Sequence, residues 1–232
     1  MSDLWTVSLG IVEYREAYAL QERVRGARQA EAIPDTLLLL EHPPVYTRGR
    51  RSEPGELAMG EDWYRLQGID IVDVDRGGKV TYHGPGQLVG YPIMRIDDVM
   101  AFVHTMEDAI ASALAEEGIQ ARSRPDDGVE YTGAWVGHRK IASIGVHVAK
   151  GVTTHGFAVN VDNDLQPFEW VVACGLPEVR MTSITKETGR GDHLPCFRKR
   201  MAFRLAEAFG HRQRLVSRTR LERALAGAPS PV

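Results

Sequence analysis

"VEYTGAWVGHRKIASIGVHVAKGVTTHGFAVNVD", residues 129–162, reads as three successive strands over 129–136, 140–148 and 154–162. Each run is rich in β-branched and aromatic residues, and the connections "GHR" and "AKGVT" are short and carry glycine. Connections this brief join neighbours, so the three strands form an antiparallel meander.

Outward from this meander, helices and further strands are mixed without repetition. Residues 12–32 set Tyr14, Tyr18 and Val24 among charges as an amphipathic helix whose end Gly26 weakens. Val99, Phe102, Val103, Met106, Ile110 and Leu114 recur at helical spacing over about 98–117, after a cap at Asp97 or Asp98 and before the terminator Gly118. Phe197, Met201, Leu205 and Phe209 fall four apart and predict a third helix over 196–210. "TLLLL" at 36–40 is an apolar strand stopped by Pro43 and Pro44. "IDIVDVD" from Ile69 alternates like a strand with one wet face. "QLVGYPIM" at 87–94 is another strand, in which Pro92 argues for an edge or a bulge. "RSRPDDG" at 122–128 is a loop or a hairpin turn, and the tail 220–232 extends or follows a helix and then frays. Helices mixed with antiparallel strands predict an α+β fold rather than a doubly wound parallel sheet.

The chain of 232 residues shows no linker or repeat that divides it, so a single domain over 1–232 is expected, with room for a small appended lobe. A formal charge of −3 provides no global field for nucleic acid or an anionic membrane. The N-terminal stretch has early acids and no basic segment followed by an apolar run, and no apolar run is long enough for a membrane span. A cytoplasmic protein is expected, with Cys174 and Cys196 as reduced thiols rather than a disulfide.

Cys174, in "FEWVVACGLPEVRMTSI", is a candidate nucleophile, because a thiol can carry an acyl group as a thioester if a neighbour stabilises its thiolate. An apolar-flanked cysteine equally suits core filling. Lys140, upstream in "GHRKIASIG", is a candidate partner for it. Residues 76–90, "RGGKVTYHGPGQLVG", hold five glycines, a density that serves either close approach of backbone to a ligand or a structural hairpin. Their spacing fits neither a P-loop nor GxGxxG, but Arg76, Lys79, Tyr82 and His83 bring polar groups to the same loop, as a pocket rim requires. Ser143 in "IASIG" lacks the first glycine of a nucleophile elbow. His83, His104, His138, His147, His155 and His193 are scattered and form no zinc motif, so no metal is expected. His155 opens a strand and suits either a base for Cys174 or a structural histidine.

Four blocks, "EHPPVYTRGR", "RGGKVTYHGPGQLVGYP", "GAWVGHRKIASIGVHV" with "THGFAVNV", and "VVACGLPEVRMTSI", occur in an order that resembles the lipoyl(octanoyl) transferases of the biotin/lipoate ligase fold. The resemblance covers about residues 5–212, leaves 213–232 as a C-terminal extension and does not include Cys196. It implies a mixed, largely antiparallel sheet flanked by helices, with a small second lobe. It implies that Cys174 carries the acyl thioester and that Lys140 favours its thiolate. Substrate-binding segments are implied at Arg76, Gly77, Gly78, Lys79, Val80, Thr81, Tyr82 and His83, at Ser143, Ile144 and Gly145, and at Gly156, Phe157 and Ala158.

The implied reaction moves an octanoyl or lipoyl group from the phosphopantetheine thioester of an acyl carrier protein to Cys174, and thence to a lysine ε-amine. The implied acceptors are lipoyl domains of 2-oxoacid dehydrogenase E2 subunits and the glycine cleavage H protein. The protein itself binds no cofactor, no nucleic acid and no membrane in this reading. Thioester exchange needs no ATP, and the acceptor amine must lose a proton, for which Lys140, His83 and His155 compete. Burying an octanoyl chain contributes up to about 5 to 6 kcal/mol, at ~0.8 per methylene, so an apolar slot is expected. Val80, Tyr82, Ile141 and Ile144 are candidate walls, or ordinary sheet core. Rival readings are an ATP-dependent lipoate or biotin ligase, a transferase between lipoyl domains, and a module that binds such partners without catalysis.

Overall fold

The computed structural model describes residues 2–176 and 178–228. In chain order the elements are β1 (Asp3–Ile11), α1 (Tyr14–Gln29), β2 (Asp35–Glu41), β3 (Val45–Arg48), α2 (Glu61–Leu66) and β4 (Asp70–Asp73). Next come β5 (Thr81–His83), β6 (Gln87–Ile93), α3 (Val99–Ala115), β7 (Gly133–Val136), β8 (Arg139–Ala149) and β9 (Val152–Asn160). The last are β10 (Arg180–Met181), α4 (Ile184–Thr188), α5 (Leu194–Ala208), β11 (Arg212–Leu215) and α6 (Arg218–Ala226). Residues 229–232, where the sequence predicts fraying, lie outside the described residues.

Eight strands form the main sheet in the order β10-β8-β9-β6-β2-β1-β11, with β7 also paired to β8. The β7–β8, β8–β9, β9–β6 and β6–β2 pairs are antiparallel, and the pairs of β1 with β2, β1 with β11 and β10 with β8 are parallel. The α+β expectation is met. The meander is present too, but its first strand is shorter than the sequence suggests. Residues 129–131 form a 3-10 turn after Gly128, whose φ is +108°, and the Tyr131 carbonyl accepts from Trp135 Nε1–H at 2.7 Å.

Helices cover both faces of the sheet, which explains the unbroken apolar run in β2. Leu37 and Leu39 pack on one side with Phe102, Met106 and Ile110 of α3 and Phe197 and Met201 of α5. Leu38 and Leu40 pack on the other with Leu20 and Val24 of α1 and Leu221 of α6. Residues 213–226, beyond the family-like span, are thus built into the sheet edge and one helical layer.

Of the edge or bulge expected at Pro92, the edge is corrected, because β6 lies inside the sheet between β2 and β9, and a local break in the ladder is what is found. The β6–β9 ladder runs to Gly90↔Phe157, stops, and resumes at the Arg95↔Val152 bridge. In the gap His155 takes φ +59° and turns its N–H away from β6, donating to Gln21 Oε1 at 2.7 Å. The amide hydrogen that proline lacks falls within this interruption of the ladder.

A second, three-stranded sheet in the order β4-β3-β5 corresponds to the expected small lobe. Tyr46, Tyr64, Ile71, Val80 and Tyr82 form its core and receive Phe168 and Ala173 from the segment that carries Cys174. No helix among the described residues is long and apolar enough to cross a membrane.

Candidate active site

The glycine-rich stretch after β4 reaches the main sheet by backbone contact. Gly77 N–H donates to the Val146 carbonyl of β8 at 3.0 Å. A Cβ on Gly145 would stand 2.9 Å from the Gly77 carbonyl oxygen, so the approach requires glycine there. Between the two sheets lies a cavity open to solvent.

Cys174 enters this cavity from a 3-10 turn, Ala173–Gly175, in a left-handed conformation with φ +58°. Left-handed geometry at a non-glycine residue persists only where its surroundings hold it. Here the Cys174 N–H donates to the Val80 carbonyl at 2.8 Å and Val172 N–H to the Glu56 carbonyl at 3.1 Å. Upstream, the carbonyls of Pro167 and Trp170 accept from Tyr46 and Tyr64 hydroxyls at 2.6 and 2.7 Å. The cysteine is a half-buried free thiol, and Cys196 is a free, exposed one.

β8 supplies the opposite wall. Lys140 is almost fully buried, its Nζ donating to the Glu130 carbonyl at 3.2 Å and standing 5.2 Å from the Trp135 ring centre. Ser143 Oγ lies 3.7 Å from Cys174 Sγ. Ile144 and Gly145 complete this wall, and Gly156, Phe157 and Ala158 of β9 form the floor.

Arg76 extends into the cavity from the glycine loop. One terminal nitrogen donates to the Thr47 carbonyl and hydroxyl and to the Lys79 carbonyl at 2.7–2.8 Å, and the other to the Gly77 carbonyl at 3.0 Å. Its buried Nε has no hydrogen-bond partner among the described residues. Burial lowers its affinity for its proton, opposed by acidic groups in reach, Glu56 among them.

Fourteen of the residues named from the sequence line this one cavity: Arg76, Gly78, Lys79, Thr81, His83, Lys140, Ser143, Ile144, Gly145, His155, Gly156, Phe157, Ala158 and Cys174. Gly77 is occupied with β8, and Val80 and Tyr82 point into the core of the small sheet because side chains alternate along β5. Ile141 lies in the main core. Of the proposed acyl-slot walls, only Ile144 faces the cavity. Sequence reasoning missed Tyr14 at the start of α1, Val89 and Tyr91 on β6, and Arg51 and Glu130, which form an ion pair of 3.0 Å among the lining residues. The alternation of Val89 and Tyr91 was a usable signal.

Histidines and tyrosines line the inner end. His155 Nε2–H donates to Asp75 Oδ1 at 2.7 Å, and His147 Nε2 lies 3.4 Å from the other carboxylate oxygen. Hydrogen bonding to His155, with help from His147 and Tyr18, holds the Asp75 carboxyl far below the usual range. Burial lowers His155, opposed by Asp75, and raises Tyr14 to about 12. His42 Nδ1–H donates to the Val12 carbonyl while Nε2 accepts from Tyr91 hydroxyl, both at 2.7 Å, and burial brings His42 down to about 4. Among the described residues no cluster of His, Cys, Asp or Glu could hold a metal ion.

The model of the lipoyl protein ligase A/B catalytic domain matches residues 13–206. The chain is similar to an octanoyltransferase of Dictyoglomus thermophilum, 41% identical over 199 residues that cover 86% of this chain and 84% of the relative. It is equally similar to an octanoyltransferase of Caldicellulosiruptor saccharolyticus, 41% identical over 219 residues and 92% of each chain. Among solved structures, a lipoate-protein ligase A bound with ATP shares the fold, with a TM-score of 0.73 at 19% identity, covering 97% of this chain and 92% of that one. At that identity the ligase carries the fold alone. The chain therefore belongs to the lipoyl protein ligase A/B catalytic-domain family, as one of its octanoyltransferases.

Proposed function

We propose that Cys174 takes an octanoyl group from the phosphopantetheine thioester of an acyl carrier protein and passes it, as an enzyme thioester, to a lysine ε-amine on a lipoyl domain. The acceptors in this reading are the lipoyl domains of 2-oxoacid dehydrogenase E2 subunits and the glycine cleavage H protein. The observation that carries it is the presence of Cys174, Lys140 and residues of all three binding segments on one cavity between the two sheets.

Attack of the Cys174 thiolate on the carrier thioester exchanges one C–S bond for another of similar energy, so the step requires no ATP. Lys140 and Arg76 are buried cations on the cavity that Cys174 lines, and a cation close to a thiol stabilises its thiolate. Ile144, Phe157, Ala158 and Val89 offer apolar surface for the chain, and the polar rim of Arg51, Lys79 and Glu130 leaves room for the carrier arm. The donor brings its own prosthetic arm, so the chain needs no cofactor. The nucleophile must be a reduced thiol, which fits a cytoplasmic site of action.

The test is intact-protein mass after mixing with octanoyl carrier protein and no ATP, for wild type, Cys174→Ser and Cys196→Ser. An octanoyl adduct labile to hydroxylamine, absent only from Cys174→Ser and discharged by a lipoyl domain, is the expected result. Transfer that appears only with ATP and free octanoic acid would replace this reading with the ligase one.

A further inference from the structure

Backbone carbonyls decide how His83 presents itself to the cavity. The Thr182 carbonyl can only accept, and Asn160 Nδ2 donates to it at 3.1 Å. Asn160 Oδ1 is thereby turned to the other side, where it accepts from Gln87 Nε2 at 2.9 Å and from Asn163 Nδ2 at 3.2 Å. The second hydrogen of Gln87 Nε2 goes to the Tyr82 carbonyl at 3.1 Å. With both donors engaged, the atom Gln87 turns to His83 is Oε1, 2.8 Å from Nδ1. A carbonyl oxygen must be met by an N–H, so His83 carries its hydrogen on Nδ1 and keeps a lone pair on Nε2.

His83 Nε2 has no hydrogen-bond partner among the described residues, and His83 lines the cavity with Cys174. Around the ring stand His42 with centroids 5.7 Å away, Tyr14 at 6.0 Å, and the charge of Arg76. Burial, aided by His42 and Arg76 and opposed by the Gln87 bond, holds the imidazole well below its ordinary range, so it is neutral at neutral pH. The competitors are already engaged. His155 donates from Nε2 to Asp75, and its Nδ1 faces the Tyr14 hydroxyl at 3.4 Å. Lys140 Nζ is used as a donor, to the Glu130 carbonyl.

We propose that His83 Nε2 is the base that takes the proton of the acceptor lysine as the amide forms, and that Gln87 and Asn160 are positioning residues that fix its tautomer. The proposal rests on the Cys174 thioester described above. The neutral amine attacks the thioester carbon and a C–N bond forms. An N–H proton passes to His83 Nε2, the C–S bond breaks with its electron pair on Sγ, and the proton on Nε2 returns to that sulfur. Amide and free thiol are the only products, and no other reactant is consumed.

The test separates the two half-reactions and adds a readout on the resting enzyme. In His83→Gln already loaded on Cys174, single-turnover discharge to a lipoyl domain, timed apart from loading, should slow by about 100-fold or more. Nitrogen-15 spectra of histidine-labelled wild type should show His83 protonated on Nδ1 only, and in Gln87→Leu that signature should be lost together with about tenfold in discharge. Discharge by His83→Gln at the wild-type rate, or a wild-type ring protonated on Nε2, overturns the proposal. If His83→Gln does not fold, the wild-type spectrum and Gln87→Leu decide. Failure of wild type itself to form an adduct on Cys174 would instead remove the thioester reading and leave the tautomer assignment standing.

Discussion

Ser143 Oγ lies 3.7 Å from Cys174 Sγ, and this contact joins a residue of the main sheet to a thiol carried by the segment pinned to the small one. A hydroxyl–sulfur contact at this distance is weak, so its role is to orient the sulfur rather than to ionise it. Ser143→Ala should slow loading of Cys174 by less than about tenfold, the rate equivalent of one hydrogen bond of ordinary strength. Quenched-flow mass spectrometry measures it, and a 100-fold loss would give Ser143 a larger part in the chemistry.

Arg76 is buried with no carboxylate hydrogen-bonded to it, and its terminal nitrogens are spread over Thr47, Lys79 and Gly77. A lysine ammonium cannot span that fork. Arg76→Lys should therefore cost about 2 kcal/mol or more by urea unfolding, because several buried acceptors lose their donors. A loss below about 0.5 kcal/mol would show that the loop is held by its backbone alone.

His42 gives the fold a defined acid sensitivity. An unfolded imidazole takes its proton near 6.5 and the folded one only at about 4, because it is buried. Stability from the neutral ring is therefore complete above about pH 6.5 and declines as pH falls toward 4. The decline from this residue reaches about 2 kcal/mol at pH 5. His83 and His155 are also lowered by burial and act in the same direction. Unfolding measured at pH 7 and pH 5 should show the loss in wild type and a smaller one in His42→Gln; equal losses would clear His42 of the effect.

Gly156 has no room for a side chain, since a Cβ there would overlap the Gly90 carbonyl oxygen and Pro92 Cδ. Both obstacles belong to β6, inside the sheet. Gly156→Ala should destabilise the protein by about 1 to 3 kcal/mol and displace Phe157 and Ala158 in the cavity floor. Thermal unfolding checks the first effect and octanoyl loading the second.

Much of the fold is legible in the sequence because its signals are local. The spacing of Val99 to Leu114 and of Phe197 to Leu205 marks α3 and α5, and the alternating runs of 140–160 mark β8 and β9. β5 and β10, at three and two residues, are too short to carry a period. Pro92 signals an edge or a bulge without deciding between them, because the interruption that accommodates it depends on His155, sixty-three residues later. The site divides in the same way. Composition leaves the glycine loop and Cys174 open to structural readings and the four-block resemblance singles them out, whereas Tyr14 reaches the cavity only through the packing of α1 on β6 and β9. Val80 and Tyr82 show the converse, since membership of a motif does not say which face of a strand a side chain takes.

The two halves of the proposed reaction centre belong to different sheets. Sulfur is hung from the small sheet through the Val80 carbonyl, while the Lys140 amine and Ser143 hydroxyl are woven into the large one. Part of the join is bare backbone, Gly77 laid against Gly145 and Val146. The alignment of the proposed nucleophile with the Lys140 amine thus depends on the mechanical tolerance of a joint that contains neither group, and a misfit of about 1 Å there can cost about 100-fold in rate. A methyl group at position 145 would act as a shim, resetting the aim of a thiol it never touches.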